Sequence, residues 1–266
     1  MNKNERYERG YRKLQEIDGK AGEDVGSSLN EISPDLVRYM VEYAFGDIYS
    51  REGLDLKSKE VAVVAALTAI GHAQPQLKVH LNGALNVGCS IYEIKEIILQ
   101  MSAYSGFPTS INAMNALKEV LAERREQGHC DPEGVPPSNR PVPDEDRYAI
   151  GADELSKLDS KQVERLENQY NDFAPDLVKY VVNGYADILS RDNLDKRYRQ
   201  IATIAALAAL GNALPQLKFH ISGGLNIGLT ADEIKEIMLL MSVYCGFPAA
   251  INGTNALKEV LADRGR

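Results

Sequence analysis

The sequence of 266 residues has no tryptophan, only three cysteines and no long apolar run. Cys89, Cys130 and Cys245 are an odd number without close spacing, which argues against a disulfide framework and against a Cys-x-x-Cys redox or zinc motif. Because no stretch approaches about 18 consecutive apolar residues, no membrane-spanning helix is predicted. The polar N-terminus lacks the apolar segment of a secretory signal, so we expect a cytoplasmic protein with reduced thiols.

Basic residues are also in deficit. The chain has 30 Lys and Arg against 38 Asp and Glu, a net charge of −8, and the two signs are interleaved. A nucleic-acid-binding surface needs a basic stripe that displaces counterions from phosphates, so this partner is excluded. A small anion could still bind through a local cluster of Arg, Lys or His. The 44% of hydrophobic residues is enough for a packed core.

What the sequence does contain is a repeat. The segment "PQLKVHLNGALNVG" at 75–88 returns as "PQLKFHISGGLNIG" at 215–228, and segments on both sides of it match in the same way. The offset between the copies is 141 residues up to Pro34 and 140 residues from Ser50 onward, so one single-residue insertion aligns them. This pattern indicates a tandem duplication.

The repeat defines the expected domain organisation. We predict a first domain at 1–125, a linker at 126–146 and a second domain at 147–266. Prolines and glycines are concentrated in the linker, where they remove backbone donors and prevent helix formation. A period of about 140 residues is too long for a solenoid repeat. Each half is therefore a complete domain or a complete subunit of an assembly.

Helical signals fill each half, and no convincing alternating strand is present. Ser33 followed by Pro34 is typical of a helix start, and an Ala- and Leu-rich segment at 58–70 predicts a buried helix. Ser90-x-x-Glu93 is a capping box for a further helix, and "TADE" at 230–233 is its counterpart. The sequence predicts an all-α fold of two tandem copies of a domain with five to six helices.

A histidine lies on the apolar stripe of one helix in each half. His80 falls at helical spacing with Leu77 and Leu81, and His220 occupies the equivalent place. A core histidine bonded to a nearby carbonyl is one interpretation. Both copies keep the histidine although residues beside it changed, and histidine suits proton transfer near neutral pH. His80 and His220 are therefore candidate catalytic residues. His72 aligns with an asparagine and is expected at the surface.

Charged residues gather before the second long helix of each half. Arg51 and Arg191 occupy equivalent positions, and Arg199 aligns with a lysine. Solvated charges at a helix start are one interpretation, and a cationic clamp that binds a carboxylate through paired hydrogen bonds is the other. Tyr104 and Tyr244, near the end of the fourth predicted helix, either supply a phenol or only pack.

The ordered set of motifs resembles gamma-carboxymuconolactone decarboxylase in both halves. The motifs are "RY…G", "SR-x-x-L", "L-K-x-H", "EIKEI" and "Y-x-G-F-P". The resemblance implies hexamers of all-helical subunits, each half the length of this chain. It matches His80 and His220 to the family's characteristic histidine, Arg199 to an arginine opening its second helix, and Arg51 and Arg191 to the arginine of "SR-x-x-L".

The resemblance implies cofactor-free decarboxylation of a small carboxylated lactone or a related unsaturated acid. Arginine would anchor an acidic group of this anionic substrate, and His80 or His220 would deliver the proton to the dienolate. Glu60 would orient His80 if their helices adjoin, whereas the second half has Gln200 there. No cofactor and no metal site are expected. Three chains would form a homotrimer, a pseudo-hexamer of six half-units.

Two alternatives remain open. The related alkylhydroperoxidase-like proteins use a Cys-x-x-Cys pair, but those positions hold Ala73 and Gln76 in the first half, and Ala213 and Gln216 in the second. A peroxidase or other oxidoreductase of that type would lack its thiolate nucleophile. A non-catalytic protein that binds a small molecule is the other alternative, because a fold alone does not fix a function.

Overall fold

The computed structural model describes residues 4–265, which form fourteen helices and, within that range, no strand. The first half contains α1 (Glu5–Ile17), α2 (Gly19–Asn30), α3 (Pro34–Tyr39, continued by a π-helical segment Met40–Tyr49), α4 (Leu56–Ile70), α5 (Gln74–Asn86), α6 (Ile91–Met101) and α7 (Phe107–Glu126). The second half contains α8 (Arg147–Ser156), α9 (Gln162–Tyr170), α10 (Pro175–Gly184, continued by a π-helical segment Tyr185–Leu189), α11 (Lys196–Leu210), α12 (Leu214–Asn226), α13 (Ala231–Tyr244) and α14 (Gly246–Asp263).

The all-α prediction is confirmed, with seven helices in each half rather than five or six. The additional helices come from the segments 5–30 and 147–170, each of which forms two helices ahead of the shared "PDLV" motif. Both predicted capping boxes are present, at the starts of α6 and α13. They fix where these two helices begin, and each helix reaches across to the other half.

Helices α4 and α11 form the centre of the molecule and pack against each other. Every residue of α4 from Ser58 to Ala69 is buried, as the nearly uniform apolar sequence of this helix predicts, and so is α11 from Arg199 to Ala208. The main hydrophobic core contains residues of both halves. The two halves therefore share one core, like two subunits of an assembly.

A close crossing of helices explains the glycine in the leading "RY…G" motif. A Cβ on Gly10 in α1 would lie 2.0 Å from the carbonyl oxygen of Val41, and a Cβ on Gly151 in α8 would lie 1.9 Å from that of Val182. Only glycine permits this approach.

The π-helical segment that continues α3 and α10 has ten residues in the first half and five in the second. One inserted residue converts an α-turn to a π-turn, and the single insertion that aligns the halves falls here.

The segment 127–146 contains no helix and runs along the surface. Its first part pairs with the start of α6, where the N–H of Ile91 donates to the carbonyl oxygen of Pro132 at 2.9 Å. Its later part lies on the second half, where the Asn139 side chain donates to the carbonyl oxygen of Ser190 at 2.8 Å. In the described part of the chain, no helix combines the length and apolar character needed to cross a membrane.

Candidate functional site

Each candidate histidine faces a side chain of the central helix pair. His80 on α5 has its Nδ1 3.0 Å from Oε2 of Glu60 on α4, the contact that the sequence raised as a possibility. His220 on α12 has its Nδ1 2.9 Å from Oε1 of Gln200 on α11. The two histidine residues are only 5% and 3% exposed. Both histidines are thus buried, and both are held by side chains rather than by backbone alone.

The two halves exchange tyrosines between these sites. The ring of Tyr244, at the end of α13, lies perpendicular to the ring of His80 with the centroids 4.8 Å apart. Tyr104, which follows α6 of the first half, lies against His220, with its hydroxyl 3.4 Å from Nε2. Each site therefore combines a histidine of one half with a tyrosine of the other. We call them the first site (around His80) and the second site (around His220).

A further tyrosine stands in each site, at positions that the repeat does not align. Tyr49 donates to Oε1 of Glu60 at 2.6 Å, and its hydroxyl lies 2.9 Å from that of Tyr244. The aligned residue in the second half is leucine, and Tyr185, one turn earlier, lies beside Tyr104 instead, where its hydroxyl acts to lower the pKa of Tyr104. Comparison of the copies could not find this pair, because neither tyrosine recurs in the other half.

The first site is charged. Asp18, at the junction of α1 and α2, is buried beside Glu60 and His80, and ligand atoms of all three lie within 4.8 Å of one another. Burial, assisted by the charge of Glu60, raises the pKa of Asp18 to about 7 against the opposite influence of His80. Burial alone would lower the pKa of His80, but Glu60 and Asp18 outweigh it and raise this pKa.

The second site is neutral. Gln200 replaces the carboxylate of Glu60, and Asp159, the counterpart of Asp18, turns away to bind the side chain of Arg165 at 2.6 Å. Without a carboxylate beside the ring, burial lowers the pKa of His220 to about 3. The imidazole of His220 is therefore uncharged at neutral pH, whereas that of His80 is stabilised in its charged form.

An open cavity of about 930 Å³ reaches the second site. It lies between α9, α10 and α12 and the end of α6, and its wall is mainly apolar. Among its polar residues, Tyr104 lies in contact with His220 and beside Tyr185. The cavity has the size and composition of a small-molecule site.

One residue of the second helix in each half helps to explain why the cavity belongs to the second site. In the first half α2 packs against α5. Gly22 permits a close approach of α2 to α1, since a Cβ there would lie 2.9 Å from Cβ of Asp18 and 3.0 Å from Cδ2 of Leu14. The aligned residue in α9 is Val163, whose branched side chain needs more room. Helix α9 packs against α8 and α10 instead, and its residues Leu166 and Tyr170 line the cavity.

The three candidate arginines lie at the junction of the halves. Arg51 binds Glu236 through two hydrogen bonds of 2.7 Å. Arg191 and Arg199 both bind Glu96, with shortest distances of 2.8 Å and 3.1 Å. In each case the glutamate belongs to the other half. These arginines therefore already have carboxylate partners. None of the three is among the described residues that line the cavity.

Among the described residues, a different arginine lines the cavity: Arg147, at the start of α8. It forms an ion pair with Asp187, another residue of the wall. Sequence reasoning did not select Arg147, although the repeated "RY" motif contains it and aligns it with Arg6. That repeat was the available signal, and the partner that orients the side chain was not visible in the sequence.

Comparisons with known proteins place both halves in one family. Residues 34–119 and 175–259 match the model of the carboxymuconolactone decarboxylase family. The 4-carboxymuconolactone decarboxylase of Acinetobacter baylyi is 32% identical over 124 residues, which cover 46% of this chain and 92% of that protein. Nitrosuccinic acid decarboxylase npaB of Metarhizium robertsii is 31% identical over 90 residues, 34% of this chain and 62% of that protein. Peroxisomal protein 2 of Saccharomyces cerevisiae is 26% identical over 176 residues, 58% of this chain and 62% of that protein.

Proposed function

The chain belongs to the carboxymuconolactone decarboxylase family, and we propose that it removes CO2 from a small unsaturated carboxylic acid at its second site. The observation that carries the proposal is a neutral histidine hydrogen-bonded to a tyrosine at the wall of an apolar cavity. Two similar proteins, from Acinetobacter baylyi and Metarhizium robertsii, bear the names of decarboxylases, which supports this class of reaction. The reaction as proposed at this site uses no cofactor.

The hydrogen bonds of His220 define its role. Because Oε1 of Gln200 is an acceptor, Nδ1 of His220 carries the hydrogen and Nε2 presents a lone pair. This lone pair faces the hydroxyl of Tyr104. With its pKa at about 3, His220 does not supply an imidazolium at neutral pH. We therefore assign to it the positioning of Tyr104, in place of the direct proton donation expected from the sequence.

Tyr104 is the proposed proton donor. When the carboxylate leaves as CO2, its electron pair enters the conjugated carbonyl. The hydroxyl of Tyr104 then turns its O–H from Nε2 of His220, 3.4 Å away, to the substrate, and the dienolate takes this proton at carbon. Burial raises the pKa of Tyr104, and hydrogen bonds from Thr203 and Tyr185 oppose that rise. The same bonds stabilise the phenolate that remains after the transfer. Water in the open cavity then restores the proton.

Arg147 is the proposed anchor for an acidic group of the substrate. Like the other arginines it has a carboxylate partner, Asp187, but this pair lines the cavity and is partly exposed, so a substrate can reach it. A guanidinium can bind a carboxylate through two parallel hydrogen bonds. The apolar part of the wall favours loss of charge from the reacting carboxylate, since neutral CO2 is tolerated there better than an anion. Arg147 would hold one acidic group of the substrate, and the apolar part of the wall would surround the carboxylate that leaves as CO2.

A matched pair of tyrosine variants tests the proposal. With a carboxylated unsaturated lactone as substrate and CO2 release as the readout, Tyr104→Phe should lower kcat by about 10²–10⁴-fold, the usual contribution of a proton donor. Tyr244→Phe makes the same change at the first site and should leave kcat within about threefold. The opposite pattern would contradict the assignment to the second site, and a wild-type chain that releases no CO2 from such acids would contradict the decarboxylation itself.

We further propose that three chains associate as a pseudo-hexamer. Five large apolar residues are exposed at equivalent places in both halves. The pairs are Ile32 and Phe173, Leu36 and Leu177, Tyr39 and Tyr180, Phe107 and Phe247, and Ile111 and Ile251. A surface repeated on two half-units suits contacts between copies in a closed ring. Some of these residues also line the cavity, so a neighbouring chain would help to cover its mouth.

Light scattering after size exclusion tests the association. We expect one species of about 88 kDa, three times the 29.3 kDa of one chain. Replacing two equivalent residues, Leu36→Glu with Leu177→Glu, should shift it to a smaller species because the charge would be buried in the contact. A wild-type protein that stays at the mass of one chain or of two would exclude the trimer.

A further inference from the structure

The first site keeps two carboxylates and one imidazole together, and no Lys or Arg of the described residues pairs with either acid. Among the ion pairs of residues 4–265, Glu60 pairs with His80, and Asp18 has no Lys or Arg. Asp18 and Glu60 are 4% and 0% exposed. Buried charges are normally paired or bound to a metal, because their transfer from water is unfavourable.

Asp18 has an acceptor atom without a partner. Its Oδ1 is buried and receives no hydrogen bond from the described residues. Gly83, one turn after His80 on α5, shows where this atom points, because a Cβ there would lie 2.8 Å from Oδ1 of Asp18 and 3.0 Å from Oε2 of Glu60. The two oxygens therefore converge on the space that a side chain at residue 83 would fill. His80 directs its Nδ1 to the same Oε2.

We propose that Asp18, Glu60 and His80 form a binding site for one divalent transition-metal ion. Oδ1, Oε2 and Nδ1 lie within 4.8 Å of one another, a separation that a single ion can bridge. Two carboxylates balance the charge of a divalent cation bound between them. One imidazole with two carboxylates suits zinc, manganese or iron(II) better than calcium or magnesium, which prefer all-oxygen ligands.

The surroundings of the cluster support a ligand role for Glu60. Tyr49 donates to Oε1 at 2.6 Å, so this oxygen is occupied and Oε2 is directed inward. Tyr49 is itself held by the hydroxyl of Tyr244 at 2.9 Å. An outer hydrogen bond that orients a coordinating carboxylate is usual at protein metal sites. The second half thus contributes to the proposed site through Tyr244.

The second site contains none of the features that carry this inference except the histidine. Gln200 offers no negative charge, and Asp159 binds Arg165 and the N–H of Lys161 rather than facing His220. Beside Gly223, the counterpart of Gly83, the space is filled by Leu158. The chain therefore holds its own control for a metal-binding experiment.

The test uses the full chain after removal of metals with a chelator. Titration with Zn²⁺ should show one tight site per chain, and Co²⁺ should give the visible absorption of a protein-bound ion. Asp18→Asn should weaken Zn²⁺ binding by about 100-fold or more, since it removes a charged ligand. Asp159→Asn, the matched change in the second half, should leave the affinity unchanged.

A second variant guards against loss of folding. Glu60→Gln places in the first half the amide that the second half already accommodates beside its histidine, and it should also weaken Zn²⁺ binding by about 100-fold. Uptake of less than about 0.1 equivalent of Zn²⁺ or Co²⁺ by the wild type would overturn the proposal. So would equal affinity of the wild type, Asp18→Asn and Glu60→Gln.

Discussion

The first and second sites occupy equivalent places in the two halves, but one is charged and covered by a helix and the other is neutral and reached by a cavity. The difference follows from few residues. Glu60 against Gln200 sets the charge beside the histidine, and Gly22 against Val163 affects how closely the second helix of each half approaches the first. A duplicated scaffold can thus keep its order of helices while its two sites acquire opposite electrostatic character.

The largest effect that would sharpen this comparison is a difference in acid stability. His220 has a folded-state pKa of about 3 against about 6.5 when unfolded, so it stabilises the fold fully above pH 6.5 and loses this contribution as the pH falls toward 3. At about pH 4.5 the loss amounts to roughly 2–3 kcal/mol. His220→Gln has no imidazole to titrate and does not show this loss. The free energy of unfolding of the wild type minus that of His220→Gln should therefore decrease by that amount between about pH 7 and 4.5.

His80 provides the opposite case for the same urea-unfolding measurement. Its pKa is raised in the folded state, so its contribution is present below the unfolded pKa and is lost as the pH rises through the folded one. The gap between wild type and His80→Gln should therefore widen on acidification. If both variants followed the wild type in parallel, the two histidines would not differ in charge as their surroundings imply.

A smaller effect is expected from the arginines of the repeated "RY" motif. Arg147 lines the cavity, and Arg6 makes the equivalent ion pair in the first half with Asp47. Arg147→Gln should raise KM by about tenfold through loss of a charge-assisted hydrogen bond, with little change in kcat. Arg6→Gln should change neither constant by more than about twofold. Equal effects of the two substitutions on KM would remove Arg147 from substrate binding.

The smallest effect concerns the thiols. Burial raises the pKa of Cys245 to about 11 and that of Cys89 to about 12, so neither is a thiolate near neutral pH. Cys245→Ser copies Ser105, the aligned residue of the first half, and should leave CO2 release within about twofold. We also expect no reduction of hydroperoxides with a dithiol donor. Such turnover in the wild type, abolished by the substitution, would favour the peroxidase alternative.

Local signals in the sequence were sufficient for the helices and for part of each site. Capping boxes predicted the starts of α6 and α13, and helical spacing put His80 and His220 on buried faces. The contact between Glu60 and His80 depended on the packing of α4 against α5, which the sequence offered only as a possibility. Predictions of this kind succeed because each depends on residues within a few turns of one helix.

Contacts between distant segments could not be predicted in the same way. The sequence selected Tyr104 and Tyr244, but nothing in their spacing indicated that each serves the histidine of the other half. Asp18 was visible only as a matched position of the repeat, and its counterpart Asp159 points elsewhere. A search for ligands at close spacing misses such a cluster, because residues 18, 60 and 80 meet only after three helices pack.

Each site takes a tyrosine from the other half. The covalent link between the halves therefore determines whether the sites persist when the protein is diluted. If the halves were separate chains, each site would exist only while they remained associated, and the population of intact sites would fall as the protein became dilute. A connection such as 127–146 holds the other half at an effective concentration of about millimolar, whatever the amount of protein present. Both sites therefore assemble by a unimolecular step, and their integrity is independent of how much of the chain a cell makes.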